Sequence, residues 1–128
     1  MTQQTLTRIA KSFDQPDEVK HMGRTRVEIV KLGDIALKRV TAQPGWRWSE
    51  DVKPFVGGEL CQTAHVAYLV SGRLGASYPD GGRYEFEAGS AFVAPPGHDG
   101  YVIGNQPAVW FELADTTALR SGFPKLGE

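Results

Sequence analysis

The sequence predicts an all-β fold, a sandwich or barrel of short antiparallel strands, and two observations lead to this prediction. The first is that 15 glycines and 8 prolines divide the 128 residues into short segments, which favours turns over long helices. The second is a series of about eight segments rich in β-branched and aromatic residues, each bounded by a turn signal, as is typical of sandwiches and barrels. A chain of this length forms one domain with its own core.

The formal net charge of −1 and the single cysteine narrow the classes of function. A nearly neutral chain offers little attraction to nucleic acid or to an anionic membrane, so we expect neither as a partner. One cysteine excludes an internal disulfide and fits a reducing compartment. Because the chain has no apolar run of about 20 residues and no signal-peptide core at its N-terminus, we expect a cytoplasmic protein.

The first half of the chain predicts an arm, a β-hairpin and an irregular stretch. Residues 1–23 look like a short N-terminal arm. Residues 27–32 alternate imperfectly, and Gly33-Asp34 predicts a hairpin turn into a strand at 35–40. An irregular stretch beginning at Pro44-Gly45 then extends to Gly58.

The second half predicts strands separated by strong turn signals. The strongest strand covers 59–71 and ends at Gly72. Pro79-Asp80-Gly81-Gly82 predicts a tight turn between two neighbouring strands. The later predicted strands cover 74–78, 83–87, 91–93, 101–103 and 108–113, and the tail at 115–128 is polar.

The strand at 59–71 also carries candidate metal ligands. Because successive side chains of a strand point to opposite faces, Glu59, Cys61 and His65 share one face. His98 follows a Pro-Pro-Gly turn that could bring its imidazole to the same cavity. One carboxylate, one thiolate and two imidazoles suit zinc or iron better than magnesium or calcium. The alternative is structural: a buried small thiol, a core histidine and a surface glutamate at the strand end.

The same strand is apolar on both faces from Ala64 onward. A strand of this kind is covered on both sides. In a domain this small, the second cover is either another sheet or a partner subunit.

Three segments together resemble a small single-domain cupin, over roughly residues 24–114. They are 65–72, the turn at 79–82, and 89–100 with its Pro-Pro-Gly-His-Asp sequence. The second cupin motif keeps Gly89, Pro95 and Gly97 in register, and the first keeps its closing Gly72. The resemblance implies a cupin-type jelly-roll β-barrel with a short N-terminal arm, and a homodimer.

The ligand positions of the cupin motifs differ from the family pattern. His65 stands where the family has glutamate, and Glu59 and Cys61 stand where it has two histidines. Gly100 occupies the position of the second-motif histidine, with His98 two residues earlier. Because these groups are uncommon choices for filling a barrel interior, we favour a rewritten site for a divalent transition metal, zinc or iron, over the remnant of a lost one.

The aromatic residues of the irregular stretch predict a small-molecule pocket at the barrel mouth. Trp46, Trp48 and Phe55 are placed to hold an apolar ligand, or else simply cap the barrel. Tyr101 and His98 are the candidate acid–base residues. Asp99 either orients the imidazole of His98 or binds turn backbone.

Three functions remain open from the sequence. The first is a metal-dependent isomerase, cyclase, lyase or oxygenase acting on a small organic molecule. The second is a non-enzymatic module that binds or senses a small molecule, and the third is a metal-free acid–base enzyme. A barrel fold alone does not choose among them.

Overall fold

The computed structural model describes residues 8–33, 35–58, 65–94 and 97–113, with the side chain of His65 also outside the description. These residues form nine strands and two four-residue helices. The strands are β1 Glu18–Met22, β2 Thr25–Leu32, β3 Ile35–Ala42, β4 His65–Ser71, β5 Arg73–Ser77, β6 Arg83–Glu87, β7 Ala91–Ala94, β8 Asp99–Val102 and β9 Ala108–Leu113. The helices are α1 Trp48–Asp51 and α2 Lys53–Val56, neither of which is long enough to cross a membrane.

Two antiparallel sheets make the two layers of the fold. The larger sheet has six strands in the order β1-β2-β3-β9-β4-β7, and the smaller has three in the order β6-β5-β8. One hydrophobic core joins them, because Leu69 and Trp110 of the larger sheet cluster with Leu74 of the smaller one. At one side, Phe86 of β6 stacks on Phe92 of β7 with ring centroids 4.5 Å apart.

The two predicted hairpins and the last strand are confirmed. β2 pairs with β3 across the turn at Gly33, and β5 pairs with β6 across the turn at 79–82. β9 spans the predicted residues 108–113, with Ala108, Trp110 and Glu112 buried. The alternation of buried and half-buried residues is not visible in the sequence, because Val109, Phe111 and Leu113 on the other face are apolar as well.

Two stretches are more ordered than the sequence suggests. Residues 18–22, within the predicted arm, form β1 at the edge of the larger sheet and pair with β2. Edge strands carry charged and polar side chains, so β1 lacks the apolar alternation by which other strands are recognised. In the stretch predicted to be irregular, Pro54 lies in the first turn of α2, a position that suits a residue without a backbone N–H.

In the described part of the chain, other residues cover only one face of β4. Ala67 and Leu69 are buried, whereas Val66, Tyr68 and Val70 on the opposite face are close to half exposed. The first six residues of the predicted strand, 59–64, lie outside the described residues. The second cover expected from the sequence is therefore not supplied by the part of the chain that the structure describes.

Candidate functional site

A cavity of about 540 Å³ lies between the two sheets, within the range of small-molecule sites. Its wall combines residues of both sheets with residues of the α1–α2 segment. The lining residues are Met22, Thr25, Val27, Lys38, Val40, Trp46, Trp48, Val52, Val56, Gly57, Gly58, Leu74, Gly75, Ala76, Phe86, Phe92, Ala94, His98, Gly100, Trp110 and Glu112.

Three tryptophan rings form part of the cavity wall. Trp46 and Trp48, predicted for the pocket, both line it and are buried. Trp46 also packs against Trp110, with ring centroids 5.8 Å apart. Its carbonyl accepts a hydrogen bond from the Val102 N–H at 2.9 Å, and a side-chain carbon on Gly100 would come within 3.2 Å of its ring. The glycine of β8 therefore leaves the space that the Trp46 ring occupies.

Asp51 fixes the helical segment to the β1–β2 turn. This buried carboxylate accepts hydrogen bonds from the Arg24 N–H at 2.9 Å, the Arg24 Nε at 3.0 Å and the Arg47 N–H at 3.0 Å. Burial raises the pKa of Asp51, but the hydrogen bonds from Arg47 and Arg24 outweigh burial and hold it below the ordinary value of 3.8. The ionised form therefore anchors the segment that carries Trp48.

Asp99 fixes the same segment to β8. Its carboxylate accepts hydrogen bonds from the Ser49 N–H and Oγ, both at 3.0 Å, and from the Arg47 guanidinium at 3.1 Å. The described contacts of the Asp99 carboxylate thus go to Ser49 and Arg47 rather than to the backbone of its own turn, and the Asp99 carbonyl accepts a hydrogen bond from the Ser77 Oγ at 3.4 Å.

Four residues give the cavity its polar lining: Thr25, Lys38, His98 and Glu112. Glu112 is buried and accepts a hydrogen bond from the Trp110 Nε1 at 2.9 Å. The sequence analysis missed Glu112 as a site residue. No clear signal in the sequence marks it, because Val109, Phe111 and Leu113 of the other parity are as apolar as Ala108 and Trp110.

Of the predicted metal ligands, His98 is the one whose side chain the structure describes. It is buried and lines the cavity, and its ring lies 6.0 Å from that of Tyr78. Glu59 and Cys61 lie outside the described residues, and for His65 only the backbone is described. Residue 65 pairs with the cavity residue Ala94 and has the parity of the buried Ala67 and Leu69. Within the described residues, no group of three or more potential metal ligands comes together.

The two other predicted site residues lie away from the cavity wall. Tyr101 pairs with Gly75 in β8–β5 and packs under the Arg47 guanidinium, 4.9 Å from the ring centroid. Its buried hydroxyl has no hydrogen-bond partner among the residues that the structure describes. Phe55 is 63% exposed on α2, and the next residue, Val56, lines the cavity instead.

The architecture is that of a cupin-type jelly roll, which confirms the predicted all-β fold class. In the described part of the chain, residues of both sheets and of the α1–α2 segment line a ligand-sized cavity. Fold and cavity together define a small cupin-like β protein.

Solved structures of this fold are similar to the chain. KdgF from Halomonas sp. has a TM-score of 0.55 and 18% identity over 88% of this chain and 92% of that one. A protein of unknown function (DUF1255) from Acidithiobacillus ferrooxidans has a TM-score of 0.54 and 16% identity, over 78% and 88%. The oxalate decarboxylase of Lactobacillus farciminis has a TM-score of 0.51 and 21% identity over 75% of this chain, which spans only 30% of that protein.

These similarities concern the fold. No family model matches the sequence, and no curated protein matches it. The activity is therefore argued from the cavity.

Proposed function

We propose that this protein binds a small organic molecule in the cavity between its sheets and acts on it with the help of a divalent transition metal. The observation that carries the proposal is the aromatic-walled cavity of about 540 Å³ with His98 in its lining. A buried imidazole in a ligand-sized cavity is suited to metal binding or to proton transfer. The reaction class remains that of an isomerase, cyclase, lyase or oxygenase.

The proposed metal ligands are Glu59, Cys61, His65 and His98. His98 fits, because its buried side chain lines the cavity. The backbone position of residue 65, opposite the cavity residue Ala94, is compatible with the same centre. Zinc or iron held there would supply Lewis-acid chemistry, or oxygen chemistry in the case of iron.

The remaining residues bind, orient and exclude water. Trp46, Trp48 and Trp110 provide the apolar wall against which a substrate packs. The anchors at Asp51 and Asp99 hold two of these rings in place. A proton-transfer role falls on His98 by position, whereas Tyr101 would have to act from the opposite face of β8.

The experiment is elemental analysis of protein purified without a nickel column and without chelator. The proposal expects close to one zinc or iron per chain, lost in His65→Ala and in His98→Ala. The matched control is His21→Ala, because His21 is exposed on the edge strand β1. Circular dichroism checks that each variant folds.

Two outcomes distinguish the open alternatives. Wild-type protein that stays metal-free after dialysis against zinc and iron would contradict the metal centre and leave a binding module or a metal-free acid–base enzyme. Cys61→Ser distinguishes a metal-dependent enzyme from a metal-free one. It removes a metal ligand in the first case and leaves the reaction intact in the second.

We also propose that the chain forms a homodimer through the open face of the larger sheet. Val66, Tyr68 and Val70 of β4 are exposed beside Val93 of β7, the cross-strand partner of Val66. A contiguous apolar sheet face of this kind marks an association surface. A second copy would supply the cover that the two-sided apolar pattern of β4 predicts.

Tyr68→Glu tests the dimer by light scattering coupled to gel filtration. We expect a dimer for the wild type and a monomer for this variant. Tyr84→Glu is the control, because Tyr84 is an exposed tyrosine on β6 of the other sheet. A wild-type monomer, or a dimer in all three proteins, would refute this interface.

A further inference from the structure

We infer that Lys38 makes the cavity selective for an organic monoanion, a small aromatic carboxylate whose ring packs on the tryptophan wall. The inference rests on the proposed function, because it names the class of molecule that the same cavity would take. It starts from a cavity lysine that forms no ion pair with any described residue.

Lys38 is the exception among the basic residues of β2 and β3. Arg26 and Arg39 pair with Glu28 at 3.8 and 2.7 Å, and Lys31 pairs with Glu18 at 3.5 Å. Lys38 is half-buried and lines the cavity, yet among the described residues it has no ion pair within 4.0 Å. A partly desolvated ammonium without a carboxylate favours a bound anion.

Glu112 is the one carboxylate that the described cavity lining places near Lys38. The two residues are direct cross-strand partners in β3–β9. Nevertheless, the Glu112 carboxylate accepts a hydrogen bond from the Trp110 Nε1 and forms no ion pair with Lys38 within 4.0 Å. Its negative charge argues against a doubly charged ligand such as a phosphate monoester, and so favours a monoanion.

The body of the ligand follows from the rest of the wall. The wall includes Trp46, Trp48 and Trp110, together with the stacked pair of Phe86 and Phe92. Flat rings offer a large contact area to a flat ligand. An aromatic ring bearing one carboxylate satisfies both the wall and Lys38.

The test compares 2-naphthoate with its neutral analogue 2-naphthamide by isothermal titration calorimetry. Wild-type protein is expected to bind the acid more tightly than the amide. A hydrogen bond to a charged group is worth about 1.5–3 kcal/mol, so Lys38→Met should weaken naphthoate binding by about tenfold to a hundredfold. The same variant should change naphthamide binding by less than about twofold, because the rings remain.

Two further variants sharpen the comparison. Glu112→Gln removes the nearby negative charge, so naphthoate should bind several-fold more tightly while naphthamide is little changed. Lys31→Met is the control, because Lys31 is an exposed lysine paired with Glu18. If Lys38→Met does not fold, Lys38→Gln tests the same charge.

The outcomes separate this inference from the proposal on which it rests. If 2-naphthoate and 2-naphthamide bind equally and Lys38→Met leaves the ratio of their affinities unchanged, Lys38 selects no anion and the inference is wrong. The cavity would still bind small molecules in that case. If neither probe binds the wild type at millimolar concentration, aromatic binding in the cavity fails and the inference fails with it.

Discussion

Asp51→Ala should loosen the segment that forms one wall of the cavity. The substitution removes an acceptor from two backbone N–H groups and from the Arg24 guanidinium, at 2.9–3.0 Å. Because Asp51 is only 5% exposed, water replaces the lost acceptor incompletely. The variant therefore leaves donors of the β1–β2 turn and of α1 poorly satisfied.

The magnitude follows from these contacts. A buried donor left without its partner costs about 1–3 kcal/mol, and two partly buried backbone donors are affected. The Arg24 side chain is 46% exposed and also lies 3.6 Å from Glu50, so its share is about 0–1 kcal/mol. We expect a loss of about 3 kcal/mol in the free energy of unfolding, which in a domain of this size lowers Tm by roughly 10–15 °C.

The pH dependence has a definite sign. Because the folded-state pKa of Asp51 is held below 3.8, its ionised form stabilises the protein above that value. This contribution is lost as the pH falls through the lowered pKa. The difference in the free energy of unfolding between wild type and Asp51→Ala should therefore be fully present at pH 7 and become smaller below about pH 4.

Urea denaturation followed by circular dichroism, at pH 7 and at several lower pH values, measures both effects. Glu50→Ala is the matched control, since Glu50 is the neighbouring acid in α1 but its side chain is 62% exposed. Its substitution should cost less than about 0.5 kcal/mol. An Asp51→Ala variant as stable as Glu50→Ala, or a difference that stays constant down to pH 3, would refute the reasoning.

Two further substitutions probe packing. Leu69→Ala creates a cavity at a fully buried position of β4 and should lower the free energy of unfolding by about 2–5 kcal/mol. Val66→Ala on the exposed face of the same strand should lower it by less than about 1 kcal/mol. Equal losses in urea denaturation would contradict the assignment of the two faces of β4. Gly75→Ala places a methyl group against the Tyr101 ring and should lower the free energy of unfolding by about 1–3 kcal/mol. In a protein that already carries Tyr101→Ala, the same change should cost much less, and a double-mutant cycle measures this difference.

The sequence predicted strands that combine apolar side chains with turn signals at their ends. β9 was recognised over its full length, 108–113, in this way, but its inner face was not, because residues of both parities are apolar. The two hairpins followed from turn residues at fixed positions. β1 escaped prediction because its mostly exposed residues carry no apolar period.

The candidate site was less predictable, since it depends on which face of each element meets the cavity. Trp46 and Trp48 line the cavity, but the sequence could not show which way Tyr101 points, because its short strand is flanked by glycine and loop. Phe55 and Val56 are adjacent, and only the geometry of α2 decides which of them faces inward. Lys38 and Glu112 were missed because a polar residue on an inner face becomes informative only when the neighbouring strands are known.

The two carboxylate anchors of the α1–α2 segment have a consequence for how the protein can diversify. Asp51 and Asp99 attach this segment to the sheets through the β1–β2 turn and β8, and its residues Trp48, Val52 and Val56 line the cavity without taking part in any strand. Trp48 and Val52 also belong to the hydrophobic core, whereas Val56 is exposed and lies outside every strand. An exchange at Val56 therefore changes the cavity wall while the core and every strand pairing are kept, which makes this position the first choice for redesigning the cavity.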